Sequence, residues 1–407
     1  MAAVLRAVAG VSDVAAAMRL TRLTLSDFRS YAAAELLPQP ELTVIAGPNG
    51  SGKTNLLEAV YVAVTGRSHR AAVDQELVRH GAPFARVVLE LTGSAGGATV
   101  ELVLPGLTPP PGLRKRLTVN GLPRRASGVM ETVRVVLFRP EEMLLLVGSP
   151  SDRRRFLDGI LAQRDRRTAR DLADLGRIVM QRNALLRAIR AEEADLDALA
   201  FWDEQLAVTG ARVMAARLTV ARELGERIGA LHAAVAPKRA ADSERVRLVY
   251  TDALKEAWPG RADAADHEPD PIELAAAYRR RIDDVRQKEA WNGVSLVGPQ
   301  RDDLRVELGS RDVATHASRG QQRTIILALK LAETDLLATD GPRPLVLLDD
   351  VFSELDPERT ARLGGLLADR GQVLVTTADV AALGPALRDT LPIWRISDGR
   401  LEPPSGA

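Results

Sequence analysis

One stretch limits the possible folds more than any other: residues 42–58, LTVIAGPNGSGKTNLLE. The apolar run Leu42, Val44, Ile45 reads as a buried strand ending at Gly47, and a helix is expected to begin near Lys53. Between them stands G-x-x-x-x-G-K-[ST], written here as Gly47, Pro48, Asn49, Gly50, Ser51, Gly52, Lys53 and Thr54, with Asn55 next. Glycines let such a loop wrap until successive backbone N–H groups point at phosphate oxygens, and the helix start adds a favourable dipole. A lysine at this position reaches the β- and γ-phosphates, and the Thr54 hydroxyl faces Mg²⁺. A Gly-rich turn alone would say little; the strand before it and the helix after it make it a prediction of nucleotide binding.

At 407 residues the chain has room for two or three domains. A hydrophobic share of 46% and a charged share of 27% fit a soluble globular protein. No run reaches the ~18 apolar residues of a membrane span. Cysteine is absent, which excludes disulfides and thiolate metal sites and suits a reducing cytoplasm. The histidines are scattered without metal-ligand spacing. Net charge is +1, yet only six of the 55 basic residues are lysine. Arginine suits bidentate phosphate contact. Residues 1–17 are small and Ala-rich, with no signal-peptide pattern, and are expected to be a disordered leader or an over-long start.

Along the chain, residues 19–28 read as a strand, 53–65 as a helix, and 86–91 and 98–104 as strands. A hairpin is expected at Asn120-Gly121 and a buried strand at 133–138. Character changes near 150. A helix is expected through 151–170, with Leu172, Leu175, Val179, Leu186 and Ile189 keeping a near-heptad rhythm that Arg182 interrupts. After a charged break at 191–195 a second run, Leu196 to Leu218, points to a short antiparallel helical hairpin. Residues 257–271 read as a mobile polar loop. The end returns to α/β: helix 319–337, strand 345–349, helix 357–369, strand 372–377 and a hairpin at 393–401. The expected fold class is therefore a P-loop α/β core split in sequence (18–150 and 296–407) around an inserted, mainly helical lobe (151–295).

The strand LVLLDD at 345–350 supplies the other half of a nucleotide site. Asp349 is placed to hold Mg²⁺, and Asp350 to face the γ-phosphate and polarise a water. Ser318-Arg-Gly320-Gln321-Gln322 opens the helix at 319, and Ser-Glu-Leu-Asp follows at 353–356. In this order these stretches resemble the ABC-type ATPases, whose Ser-x-Gly-Gln signature closes on nucleotide held by a second protomer. A helix start with a serine hydroxyl and a glycine N–H is a good γ-phosphate binder. Catalysis is thus assigned to Lys53, Asp350 and Ser318, and nucleotide contact to Gly47–Asn55 with Ser318, Gly320 and Gln321.

LSDFRSY, GPNGSGKTNLLEA, TGRSHR, GSPSDRRRFLD, GPQRDDL, SRGQQR and LLDDVFSELD together resemble the RecF family of bacterial recombination mediators, relatives of the SMC-type ATPases with a short second lobe. The resemblance runs from about Met18 to the C-terminus. It implies a cytoplasmic protein that dimerises on ATP and binds DNA at gaps or junctions. It also implies slow DNA-stimulated hydrolysis and work with RecR and RecO in loading RecA. Asp350 stands where many ABC ATPases have Glu, and Thr376-Thr377-Ala378-Asp379 where many have a histidine, so slow turnover acting as a timer is expected. A Q-loop is sought at Gln75 or at PEEM, 140–143.

Residues 151–170 hold seven Arg and three Asp. Arg153, Arg154 and Arg155 are candidates for phosphate tracking along DNA, as are Arg67 and Arg70; further clusters lie at 114–116 and 124–125. No aromatic residues interleave them, so backbone contact with duplex is expected rather than base stacking. Other readings of the same loop are an ABC transporter ATPase subunit, a P-loop kinase and a scaffold that binds ATP without turnover. The span from Thr54 to Ser318 is far longer than a transporter ATPase would have, and a kinase would not need SRGQQ.

Overall fold

The phosphate-loop strand sits inside a parallel sheet whose neighbours come from the far end of the chain. The structure, a computed structural model, describes residues 18–94, 96–236, 245–254, 258, 269–383, 392–397 and 399–404, save the side chains at 354 and 382. The expected leader, 1–17, and most of the expected mobile loop at 257–271 lie outside the described residues. The chain folds as two compact units. The first comprises Met1–Glu142, Ala233–Ala241 and Lys330–Ala407; the second comprises Met143–His232 and Asp242–Leu329.

The first unit holds two sheets. One is antiparallel: β1 (Arg19–Phe28), β2 (Tyr31–Leu36), β4 (Phe84–Gly93), β5 (Gly96–Pro105), β6 (Arg116–Val119) and β7 (Leu122–Pro123), in the order β2-β1-β4-β5-β6-β7. In β4, Ala85, Val87, Leu89 and Leu91 are buried while Arg86 and Glu90 are exposed, the alternation of a sheet with one wet face. Asn120 and Gly121, both at positive φ (51° and 77°), make the tight β6–β7 turn expected of that dipeptide.

The other sheet contains β3 (Leu42–Ala46), β8 (Val135–Phe138), β12 (Leu345–Asp349), β13 (Val373–Thr377), β14 (Ile393–Ser397) and β15 (Arg400–Glu402). Its order is β15-β14-β3-β13-β12-β8, parallel throughout except for the terminal β14–β15 hairpin. Every residue of β12 and β13 is buried, as a parallel sheet covered on both faces requires. Helix α1 (Lys53–Thr65) buries Leu56, Leu57, Val60 and Val64, and also Glu58. Gln372 ties the two sheets: its amide accepts from Leu20 N–H at 2.7 Å and donates to the carbonyls of Leu20 and Gln39 at 2.9 and 2.7 Å. Helix α7 (Pro357–Leu367), N-capped by Asp356, completes the unit's long elements.

The second unit is mainly helical: α2 (Pro150–Arg164), α3 (Arg166–Arg190), α4 (Ala200–Val235, whose end belongs to the first unit), α5 (Pro271–Asn292) and the first turns of α6 (Arg319–Thr339). It also has a three-stranded antiparallel sheet, β11-β10-β9, from β9 (Val246–Thr251), β10 (Asp303–Leu308) and β11 (Arg311–Asp312). The single helix expected over 151–170 is two helices. Asp165 breaks the run, because its carboxylate accepts from the amides of Arg167 and Thr168 and so caps a new helix. Helices α3 and α4 pair antiparallel, Asp171 reaching Arg212 and Arg182 reaching Asp203. Arg182 interrupts the apolar rhythm because it is the centre of a buried network. It is fully buried between Asp203 (2.8 Å), Glu289 (2.5 Å) and Ser295 Oγ (2.8 Å). No helix of the described residues is long and apolar enough to cross a membrane.

Candidate nucleotide site

Register places the site. In the parallel sheet Asp349 lies opposite Thr376, and Thr377 opposite Ala46, so β3, β12 and β13 end on one edge. The phosphate loop leaves β3 at that edge, where Gly47 N–H donates to Thr377 O at 3.2 Å. Gly47 admits no side chain: a Cβ would stand 2.5 Å from the Ile396 carbonyl oxygen. Gly52, at φ 114°, precedes the helix without capping it through a side chain, so the first amides of α1 face outward as an anion site requires. A Cβ there would meet Ser30 Oγ and Tyr31 Oη at 2.9 Å.

Lys53 is buried, and its ammonium donates to the carbonyls of Gly47 and Pro48 at 2.7 and 2.9 Å. Burial lowers its pKa, opposed by the charges of Asp350 and Asp349. Asp349 is also buried, which raises its carboxyl pKa against hydrogen bonds from Thr376 and Thr54. Thr376 Oγ1 donates to it at 2.7 Å. Thr54 and Asp349 are thus within hydrogen-bond reach of each other, the arrangement of two oxygen ligands for a hard cation that keeps waters and phosphates for its other positions. The Ser51 hydroxyl is buried without a hydrogen-bond partner among the described residues. An incoming phosphate oxygen would satisfy it.

Asp350 sits at φ 51°, a left-handed conformation that aspartate adopts more readily than most residues. Its N–H donates to Thr376 O (3.2 Å) and Oγ1 (3.1 Å), and its Oδ1 accepts from Ala378 N–H at 3.3 Å. Thr376 and Ala378, in the stretch that stands where many ABC ATPases have a histidine, therefore anchor the acid. Of the two stretches considered for a Q-loop, 140–143 lies beside the site, since the Glu141 charge raises the Asp349 pKa. Behind it, buried Lys330 pairs with Glu333 at 2.5 Å.

The turn between β1 and β2, at the end of the LSDFRSY stretch, also belongs to the site. Tyr31 Oη donates to Gly52 O at 3.0 Å, and burial raises its pKa far enough to keep it a donor. Asn55 Nδ2 donates to Ser30 Oγ at 3.0 Å. Arg29, at φ 52°, makes a bidentate pair with Glu58, both contacts 2.9 Å. Glu58 accepts further from Ser68 Oγ at 2.5 Å and lies 3.7 Å from Arg70, which in turn donates to Asn55 Oδ1 at 3.3 Å. Burial would raise the Glu58 pKa; the hydrogen bonds of Arg29 and Ser68 and the Arg29 and Arg70 charges hold it below its ordinary value instead. Tyr31 and Glu58 stand within the LSDFRSY and GPNGSGKTNLLEA stretches, but their roles depend on contacts that only the fold makes.

In the second unit the signature opens α6 as a capping box. Gln321 N–H donates to Ser318 Oγ at 3.3 Å, and Ser318 N–H to Gln321 Oε1 at 2.8 Å. Ser318 and Arg319 are exposed and Gly320 half-buried. Gln322 turns inward and donates to Val313 O at 3.2 Å.

The arginines of 153–155 divide. Arg153 forms a bidentate pair with Asp303 (2.7 and 2.9 Å), and Arg154 donates to Asp302 O at 2.7 Å. Arg164 pairs with Glu223. Arg153 and Arg154 knit the SPSDRRRFLD and GPQRDDL stretches together, so the arginines do not form a continuous outward stripe. Arg155 is exposed and pairs with Asp152 at 2.7 Å. Arg67 and Arg70 are exposed in the first unit.

Residues 19–391 match the family described as RecF/RecN/SMC N terminal domain. The DNA replication and repair protein RecF of Roseiflexus castenholzii is 35% identical, covering 95% of this chain and 100% of that protein. That of Kineococcus radiotolerans is 40% identical, covering 91% and 95%. A solved structure of the recombination mediator protein RecF with ATPrS, in the RecFOR pathway, has a TM-score of 0.83 at 25% identity over 95% of this chain and 98% of that one. An Smc head bound to the C-winged helix domain of ScpA shares the fold, with a TM-score of 0.54 at 15% identity over 94% and 96%. Matched by the family model over nearly its whole length and 35–40% identical to curated RecF proteins that it covers almost entirely, the chain belongs to the RecF family.

Proposed function

We propose that this protein binds ATP in DNA replication and repair and that ATP joins two copies of it. The observation that carries this reading is the convergence of Lys53, Thr54, Asp349 and Asp350 at one sheet edge, together with a signature serine exposed at a helix start. The Gly47–Asn55 loop holds the phosphates, and Lys53 exchanges its two loop carbonyls for the β- and γ-oxygens. Thr54 and Asp349 would hold Mg²⁺, which neutralises charge between those phosphates. Asp350, fixed by Thr376 and Ala378, orients the attacking water. Ser318, Gly320 and Gln321 of a second copy supply donors to the γ-phosphate, an interaction that distinguishes ATP from ADP. Hydrolysis is slow, stimulated by DNA and serves release. The partners are duplex DNA at gaps or junctions and the RecR, RecO and RecA pathway. The transporter reading is not favoured, since the relatives are replication and repair proteins.

Gel filtration in ATP and in ADP tests this. Wild type should dimerise in ATP alone, and Ser318→Arg should stay monomeric in both. A monomer in ATP, or a Ser318→Arg dimer, overturns the sandwich. A Lys53→Arg comparison of hydrolysis separates an ATPase from a passive ATP binder.

A further inference from the structure

The arginines expected to track DNA in the second unit are held by internal partners, whereas a separate group in the first unit is not. Four arginines converge around Gly66, the residue that ends α1. Lys115 Nζ donates to Gly66 O at 2.7 Å, which brings Arg114 beside it. A Cβ on Gly66 would lie 3.0 Å from Ala126 Cβ, which brings Arg125 and Arg124 to the same place. Arg67 follows Gly66 directly. Arg67, Arg114, Arg124 and Arg125 are all exposed. Among the described residues none of the four side chains has an acidic partner; the nearby Asp74 is taken by Lys115 at 2.9 Å. By contrast Arg153 and Arg164 each pair with a carboxylate and Arg154 with a backbone carbonyl.

We infer that this cluster, Arg67, Arg114, Arg124 and Arg125, is a phosphate-backbone contact surface for duplex DNA. Four exposed arginines, carried on backbone that converges near Gly66 and without an aromatic among them, suit sequence-independent contact with phosphates. The rigid framework fits the task too. Arg124 N–H is tied to Leu117 O at 2.9 Å and the β6–β7 turn is tight, so Arg124 is set at the end of an ordered hairpin. The inference rests on the proposed role with DNA and assigns it a surface.

The test is binding of a fluorescent duplex oligonucleotide in ATP over a series of salt concentrations. Each phosphate contact contributes roughly 0.9 to the slope of log K against log salt. The double variants Arg124→Ala/Arg125→Ala and Arg67→Ala/Arg114→Ala should each lose nearly two from the slope and bind at least tenfold more weakly at physiological salt. Arg155→Ala should keep the wild-type slope. Binding of a fluorescent ATP analogue, unchanged in all variants, shows that the fold persists. If wild type binds duplex and both double variants keep its slope, the surface assignment is overturned while the DNA role stands. If wild type binds no duplex at any salt, the DNA role falls and the assignment with it.

Discussion

Glu58 shows how one buried carboxylate can govern a phosphate loop it never touches. It holds Arg29 and Ser68 and faces Arg70, and through the same turn Tyr31 and Ser30 reach Gly52 and Asn55. Hydrogen bonds between charged groups contribute about 1.5–3 kcal/mol. Glu58→Gln should therefore weaken ATP binding by on the order of tenfold, read by titration with a fluorescent analogue, and Glu58→Asp should recover part of it. An unchanged affinity with a lowered melting temperature would mean that Glu58 only supports the fold. Asp302 offers a second test. It is buried against Tyr250 Oη (2.6 Å) and Ala253 N–H (3.1 Å), and burial pushes its carboxyl to about 7. Unfolded, it titrates near ~3.9, so between these values the native state binds more protons. Its stabilisation is complete below about pH 4 and is lost as pH rises through 7. In Asp302→Asn the urea midpoint should fall less between pH 5 and pH 8 than in wild type.

Among the elements, α3 is held by its exception to the apolar pattern. Arg182→Ala would strand Glu289, which is fully buried, and should cost about 3–5 kcal/mol in urea unfolding. Arg177→Ala, which breaks only an exposed pair with Asp174, should change stability by less than about 0.5 kcal/mol. The contrast also explains what the sequence made legible. Strand β1, helix α1 and the Asn120-Gly121 hairpin follow from short-range rules of periodicity and turn chemistry, and they stand where those rules put them. Asp165 escaped notice because an acid within an arginine-rich run reads equally as a helix-face partner or as a cap. The inward turn of Arg153 and Arg154 was hidden for another reason: their partners Asp303 and Asp302 lie in β10 and just before it, and no local pattern announces a pairing across that much chain. The candidate site divides in the same way. The loop and acidic strand could be read directly, but Tyr31, Glu58 and Thr376 act through the tertiary fold.

At the scale of the whole molecule, ligand and stability are linked. Saturation with ATP at a hundredfold its Kd should stabilise the protein by about 2.7 kcal/mol, seen as a rise in melting temperature that Lys53→Ala abolishes. The order β14-β3-β13 has a further consequence. The loop that grips the nucleotide is made early, yet the strands on either side of its own are translated hundreds of residues later. At bacterial elongation rates the growing chain carries that unfinished grip for on the order of half a minute. A ribosome that stalls, or a message cut short before codon 373, leaves β3 with no neighbour on either edge. Such a fragment should hold no ATP, so only completed chains would enter the nucleotide-dependent pool.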